Sequence, residues 1–297
     1  MDDWLLRMFA RRNQHTIART CRAGGIGYWS GRDVTVEFRP AAAGSGIVFV
    51  RSDLDGCPRI PASIAHLEPT PRRTNLRCGE ATVEMIEHVM AALQGLQIDN
   101  CEVWVDQPEM PGLDGSSLPL VVVLDAVGRV DQPVRRARCA VREPVRLGTD
   151  QCWIEARPCC SGRMILQYEL DYGPDNPIGQ QRLEMAVLPE TFRHQIAPCR
   201  TFTFQAEAEA LLKKGLGSRV TYRDLLVFGP EGPIENALRF PDECVRHKLL
   251  DMIGDLALAG CDLAGRFIAY RSGHQLNGEL VQTLLAKQRK RELRRCA

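Results

Sequence analysis

The sequence has few histidines, almost no net charge and no long hydrophobic run, and each lack removes a class of function. Thirty-eight Lys and Arg face thirty-seven Asp and Glu, for a net charge of +1. No global field therefore draws the 297-residue chain to nucleic acid. No apolar stretch reaches membrane-spanning length, and the opening MDDWLLRMFARRNQH holds too short an apolar run for a secretory signal. The expected location is the cytoplasm. Twelve cysteines are present, yet none form a CxxC pair and Cys159 adjoins Cys160, which fits neither a zinc ribbon nor a thioredoxin-type motif. They read as small apolar fillers kept reduced. There are only six histidines, so each one stands out.

One segment sets polar groups where they are costly. In VRHKLLDMIGDLALAG, residues 245–260, His247, Asp251 and Asp255 recur at spacings of four, which on a helix places them along one ridge with about 40° of drift per step. Val245, Leu249, Met252, Ile253 and Leu256 form the opposite stripe, and Leu250, Gly254 and Leu258 border the ridge. A helix apolar on nearly all sides is enclosed. Asp242 is a fitting N-cap after Pro241, Glu243 suits the first turn, and Gly260 suits the C-terminal cap. Two buried carboxylates need compensation. A divalent metal gripped by His247 and Asp251 supplies it; a hydrogen-bond network or an arginine ion pair is the alternative reading.

The same question arises at Glu87 and His88 in MIEHVMAAL, again within an apolar helix. His88 would complete a three-ligand set with His247 and Asp251 and leave a position open, as catalytic zinc requires. Glu87 then becomes a general base for the attacking water. His274, in YRSGHQLN, can serve a developing charge if Asp255 holds its other nitrogen.

The length suggests two domains. Strands are expected at VTVEFRP, with Val34, Val36 and Phe38 inward, and at GIVFVRSD and NCEVWVDQ. TVEMIEHVMAALQG reads as a helix capped by Thr82 and stopped at Gly95, and GSSLPLVVVLDAVG as one opened by Ser116 or Ser117 with Pro119 in its first turn. The second half shows strands near 151–156 and 163–170, a helix near 189–196, a strand at RFIAYRS and an extra short helix at TFQAEAEALLKKG. Blocks of strands with interspersed helices indicate an α+β fold. Residues 1–14 are taken as an N-terminal extension, 15–135 as the first domain and 136–297 as the second, with the arginine-rich DQPVRRARCAVREP at the boundary. Asp106, Glu109 and Asp114 lie among Pro108, Pro111 and Gly115 and are expected in capping and turn roles. His66 and His194 read as surface or packing residues, and His15 as part of a loose N-terminal region.

MIEHVMAALQGLQIDNCEVWVDQPEMPGLDGSSLPLV, CRTFTF, LRFPDECVRHKLLDMIGDLALAG and AYRSGHQLN, in this order and spacing, resemble the zinc-dependent UDP-3-O-acyl-N-acetylglucosamine deacetylases of lipid A biosynthesis. The resemblance runs from about residue 15 to 286. It implies two similar α+β domains, each a layer of β-strands packed on helices, with the metal site between them. It implies Zn2+, or Fe2+ in its place, on His88, His247 and Asp251, with Glu87 as base and His274 beside Asp255 as the second acid–base group. It also implies Thr201 at the oxyanion, and Phe202 and Lys248 in contact with substrate. The substrate it implies is a small-molecule acylated UDP-sugar. A monomer is expected, with no nucleic-acid partner given the balanced charge, and peripheral contact of the basic C-terminal end with the inner membrane stays open. An insert near 203–230 corresponds to the acyl-chain passage. Two departures from the family's pattern are Trp29, where a histidine is usual, and a rewritten KKGLGSRVTYRDLLVF within the insert. A deacetylase of another N-acetylated sugar nucleotide, or a silent sugar-nucleotide-binding paralog, is the competing reading.

Overall fold

Strand Asp33–Pro40 follows the alternation in its sequence, with Val34, Val36 and Phe38 buried and Asp33 and Thr35 exposed. It lies in a five-stranded sheet ordered Cys21–Ile26, Asp33–Pro40, Cys101–Val105, Ile47–Arg51, Arg59–Pro61. The pairings run antiparallel, antiparallel, parallel, antiparallel. The computed structural model describes residues 12–296, so most of the expected N-terminal extension falls outside the described residues.

The second half repeats this plan. Its main sheet is ordered Val145–Thr149, Cys152–Arg157, Asp262–Tyr270, Met164–Asp171, Gln180–Ala186. The pairing senses are the same as in the first sheet: antiparallel, antiparallel, parallel, antiparallel. A sixth strand, Arg138–Ala140, lies parallel to the start of Asp262–Tyr270. In each half the last strand to be made enters the middle of the sheet, and a helix precedes and follows it. Around Cys101–Val105 these are α1 (Glu87–Gly95) and α2 (Leu118–Val127). In the second half the expected helix near 189–196, α3 (Pro189–Thr191) continued as a π-helical stretch over Phe192–Ile196, and a helix in the insert, α4 (Gln205–Lys213), come first. Then α5 (Glu243–Leu256) and α6 (His274–Cys296) flank Asp262–Tyr270. Each half also carries a small three-stranded sheet just ahead of its first main helix, at residues 67–83 and 202–233. We propose the division after residue 135, where Arg129–Arg135 closes on Asn13–Ile17 while the next strand already joins the second sheet.

Several local expectations are corrected. Thr82 caps nothing: it lies in strand Ala81–Val83, and the helix starts only at Glu87. Val83 is fully buried, Glu84 and Met110 exchange backbone contacts across to the 108–110 segment, and Met85 takes a positive φ of 58°, which breaks any helix there. Gly95 is the last helical residue and no αL stop; a Cβ there would meet the Phe192 ring at 2.2 Å, so packing demands the glycine. His15 is not loose. It is buried in strand Asn13–Ile17, with its ring bonded to the Gln97 carbonyl at 2.9 Å.

Ser117 is the N-cap of α2, but its hydroxyl donates to the His88 carbonyl, and Ser116 Oγ accepts from the Leu118 N–H instead. Asp242 precedes α5 as expected and accepts from Arg246. Gly260 closes a 3-10 turn that extends α5, with φ of 65°. Glu243 is no solvated first-turn acid: it is wholly buried against Arg200, whose Nε lies 2.8 Å from Oε1. Asp114 takes the expected turn role, accepting from the N–H and hydroxyl of Ser116, but Asp106 and Glu109 serve distant backbone instead: Asp106 accepts from the Thr35 N–H, and buried Glu109 accepts from the Trp29 and Ser30 N–H groups. His194 is exposed beside Glu190, and His66 faces Ser63. The described cysteines are free thiols.

Candidate metal centre

The two equivalent helices α1 and α5 pack against each other, and a glycine sets their distance. An ideal Cβ at Gly254 would stand 2.1 Å from the Glu87 carbonyl oxygen, so only glycine permits the approach. The approach brings together His88 on α1 with His247 and Asp251 on α5. One ligand atom from each lies within 4.8 Å of the others, and all three residues are buried. His247 Nε2 is 3.3 Å and His88 Nε2 3.9 Å from Asp251 Oδ1. The imidazoles meet edge to face at 5.1 Å.

This donor set fits a divalent cation of the zinc type on its own chemistry. His247 Nδ1–H donates to the Cys199 carbonyl at 3.0 Å, which fixes the tautomer and leaves Nε2 as a ligand. Burial, reinforced by His247, lowers His88 to about 3, so its ring stays neutral with a lone pair to give. Asp251 is buried, yet Lys248 and His247 hold it well below the usual carboxylate range. Lys248 Nζ bonds Asp251 Oδ2 at 2.6 Å, so Oδ1 is the oxygen that faces the histidines.

Glu87 is buried beside His88, and burial lifts its carboxyl to about 7 against the pull of His274. Oε2 accepts the Thr74 N–H at 2.9 Å. Asp255, the third member of the ridge, is no ligand. Its Oδ2 lies 2.9 Å from His274 Nδ1, and Asn277 Nδ2 donates to the same oxygen at 2.8 Å. Burial opposes a charge on His274, but Asp255, with help from Glu87 and Asp251, raises it to about 9. The imidazole is therefore a cation at neutral pH with Nε2–H left to donate.

Segment CRTFTF crosses α5 here. Arg200 is anchored by Glu243, Cys199 holds His247, and Phe202 stands 6.4 Å from the His247 ring. Thr201 N–H donates to the Gly115 carbonyl at 2.7 Å. Phe202, Phe204, Phe228 and Tyr172 form an aromatic cluster beside the centre. Trp29 supports the rim: its ring lies under the Arg73 guanidinium at 4.7 Å, and Arg73 in turn pairs with Glu84 at 3.1 Å.

The structure thus brings His88, His247, Asp251, Glu87, Asp255, His274, Lys248 and Phe202 into one neighbourhood. The sequence reading missed Thr74, Asn277 and the Arg200–Glu243 anchor. Asn277 lies three residues after His274 in an amphipathic helix, a spacing that could have flagged it; nothing local marks Thr74.

A family model described as UDP-3-O-acyl N-acetylglycosamine deacetylase matches residues 14–286. UDP-3-O-acyl-N-acetylglucosamine deacetylases of Brucella ovis and Brucella abortus are each 39% identical to this chain over 276 residues, covering 92% of it and 95% of their own length.

Proposed function

Since the chain belongs to the UDP-3-O-acyl N-acetylglycosamine deacetylase family, we propose that His88, His247 and Asp251 hold the metal of that reaction and that Glu87 and His274 move its protons. The reaction is hydrolysis of the N-acetyl group of UDP-3-O-acyl-N-acetylglucosamine in lipid A biosynthesis, giving the free amine and acetate. The observation that carries the residue assignment is a buried two-histidine, one-aspartate set flanked by a carboxyl raised to about 7 and an imidazole raised to about 9. Two titrating groups with opposite duties, tuned around neutrality, are what general acid–base hydrolysis needs.

Zinc bound there would supply a Lewis acid that polarises the acetamide carbonyl and acidifies the attacking water. Glu87 takes a proton from that water. His274 presents Nε2–H to the oxyanion and then to the departing amine, while Asp255 positions the ring. The Thr201 hydroxyl adds a donor at the oxyanion. Lys248 and Phe202 meet the sugar nucleotide, and the aromatic cluster with the insert around 203–230 receives the acyl chain. The same ligands accept iron(II), and metal analysis of the purified protein separates the two. We take the protein to work as a cytoplasmic monomer, with exposed Arg289, Lys290 and Arg294 near the end of α6 available for peripheral contact with an anionic inner membrane. Among the described residues no helix is long and apolar enough to cross a membrane.

Acetate release from UDP-3-O-acyl-N-acetylglucosamine, with and without a chelator and across a series of acyl lengths, tests this reading. Chelator-sensitive release is expected. Equal turnover of non-acylated UDP-N-acetylglucosamine would move the substrate to another acetylated sugar nucleotide, and bound metal with no turnover would leave a silent binding protein.

The pH profile supplies a second check. His274 works as its cation, so kcat/KM should fall as pH rises through about 9. Asp255 causes the elevation, and Asp255→Asn should move that limb down toward the ordinary histidine value near 6.5. A limb that stays at about 9 in the Asn variant would remove His274 as its source.

A further inference from the structure

The base and the acid of the site sit on helices from different halves, and one buried residue outside both helices reaches the two of them, through its backbone N–H on one side and its hydroxyl on the other. Thr74 is 2% exposed and stands at the entry to the small sheet of residues 67–83. Its backbone N–H donates to Glu87 Oε2 at 2.9 Å. Its carbonyl accepts the Ile86 N–H at 3.1 Å, at the first turn of α1. Its hydroxyl donates to Asp255 Oδ1 at 2.5 Å and lies 3.1 Å from His274 Nδ1, whose proton it shares with Asp255. The rim contacts of Arg73 with Trp29 and Glu84 brace the residue just before it.

We propose that Thr74 is a positioning residue for the deacetylation, a single bridge that sets the Glu87 carboxylate and the Asp255–His274 pair in register with each other. The proposal rests on the roles given above to Glu87 and His274. It follows from the count of donors. The buried Asp255 carboxylate has three hydrogen-bond partners, Thr74, Asn277 and His274, and a hydroxyl that donates to the acid while accepting from the imidazole fixes the ring plane as well as its charge. Removing the hydroxyl leaves a buried anion one donor short. The pair then holds its proton more tightly and the ring loses an orienting contact. The charged groups facing His274 are Asp255 and Asp251 from α5 and Glu87 from α1; none of them replaces the hydroxyl.

Thr74→Val keeps the shape and the backbone N–H and deletes only the hydroxyl; Thr74→Ser restores it. In the metal-loaded enzyme, Val should hold KM within about twofold and lower kcat by roughly ten- to a hundredfold, the usual weight of a hydrogen bond to a charged group. It should also shift the basic limb upward, while Ser returns both to the wild-type values. Metal content and thermal midpoint are read on the same samples, so that a merely structural loss is recognised by falling metal and by Ser failing to rescue. If Val does not fold, Ala against Ser makes the same comparison. Wild-type kcat and basic limb in the variant without the hydroxyl, or a Ser variant as impaired as Val, would overturn the proposal. Wild type and Glu87→Ala run alongside: loss of turnover in the wild type itself would indict the functional reading, whereas Glu87-dependent turnover with an unaffected Val variant would indict Thr74 alone. NMR titration of the His274 ring in the holoenzyme decides Thr74 even without turnover, since an unmoved titration in Val overturns the bridge.

Discussion

Glu87→Ala is expected to bind metal as the unaltered protein does and to turn over roughly 10²- to 10⁴-fold more slowly, the range that a positioned general base contributes. The separation of the two effects comes from the geometry. Glu87 contributes no atom to the three-ligand group, and its carboxylate is held by Thr74. Truncating it deletes the proton acceptor and leaves His88, the next residue along α1, with its burial and its partners. Burial that raises Glu87 to about 7 also makes it an effective base at neutral pH, so the loss falls on kcat. Asp251→Ala is the contrasting case, because one of three ligands goes and the metal with it. Metal stoichiometry and kcat measured on both variants separate base from ligand. Unchanged turnover in Glu87→Ala would remove the assignment.

Gly254→Ala should be nearly as damaging, although the residue has no side chain to take part in chemistry. The added methyl would stand 2.1 Å from the Glu87 carbonyl oxygen, 2.9 Å from its carbon and 3.1 Å from its Cα. These are backbone atoms, so no rotamer relieves the clash, and α1 must move off α5. Overpacking of this kind costs about 1–3 kcal/mol in stability. The larger consequence is local: His88 rides on α1 while His247 and Asp251 ride on α5, so the 3.9 Å between His88 and Asp251 widens. We expect metal affinity to fall and turnover to drop by about a hundredfold or more, since displacement of reacting groups by about 1 Å has that effect. Equilibrium dialysis against zinc and steady-state rates are the measurements. Wild-type affinity and rate in Gly254→Ala would show that the helix spacing is not what assembles the centre.

The ridge of α5 was legible because its signal is short-range: three polar residues four apart in an apolar helix disclose a buried partner before the partner is known. The pairing of His88 with that ridge needed the further step of asking which other apolar helix held a histidine. What failed depended on distant contacts. Thr82 and the residues after it look helical, but the hairpin with Asn75–Cys78 and the contacts to residues 108–110 override that propensity. His15 looked terminal and loose because its neighbours in space, Gln97, Asp99 and Asp131, all lie far along the chain. Glu243 read as an acid at a helix start and proved to be the anchor of Arg200, forty-three residues earlier. Thr74 was invisible for the same reason, with partners 13, 181 and 200 residues away. The repeated plan of the halves was legible only in the order of elements. It survives in strand order and pairing sense, while the residues that fill it differ too much to show as a repeat.

That each sheet receives its middle strand last has a consequence for biosynthesis. Met164–Asp171 and Cys152–Arg157 leave the ribosome before the strand that separates them, and Arg138–Ala140 waits for the same partner. Until Asp262–Tyr270 arrives, two inner edges stand unpaired, and until α5 emerges just ahead of that strand the apolar face of α1 has no α5 to cover it. Assembly is thus dominated by contacts distant in sequence, which slows folding and exposes the nascent chain to mispairing. The ligand pocket is completed at the same late moment, when α5 docks. On the proposed ligand set, a chain stalled before α5 is released has one histidine where three ligands are needed, so it would not secure the metal early and fold around it.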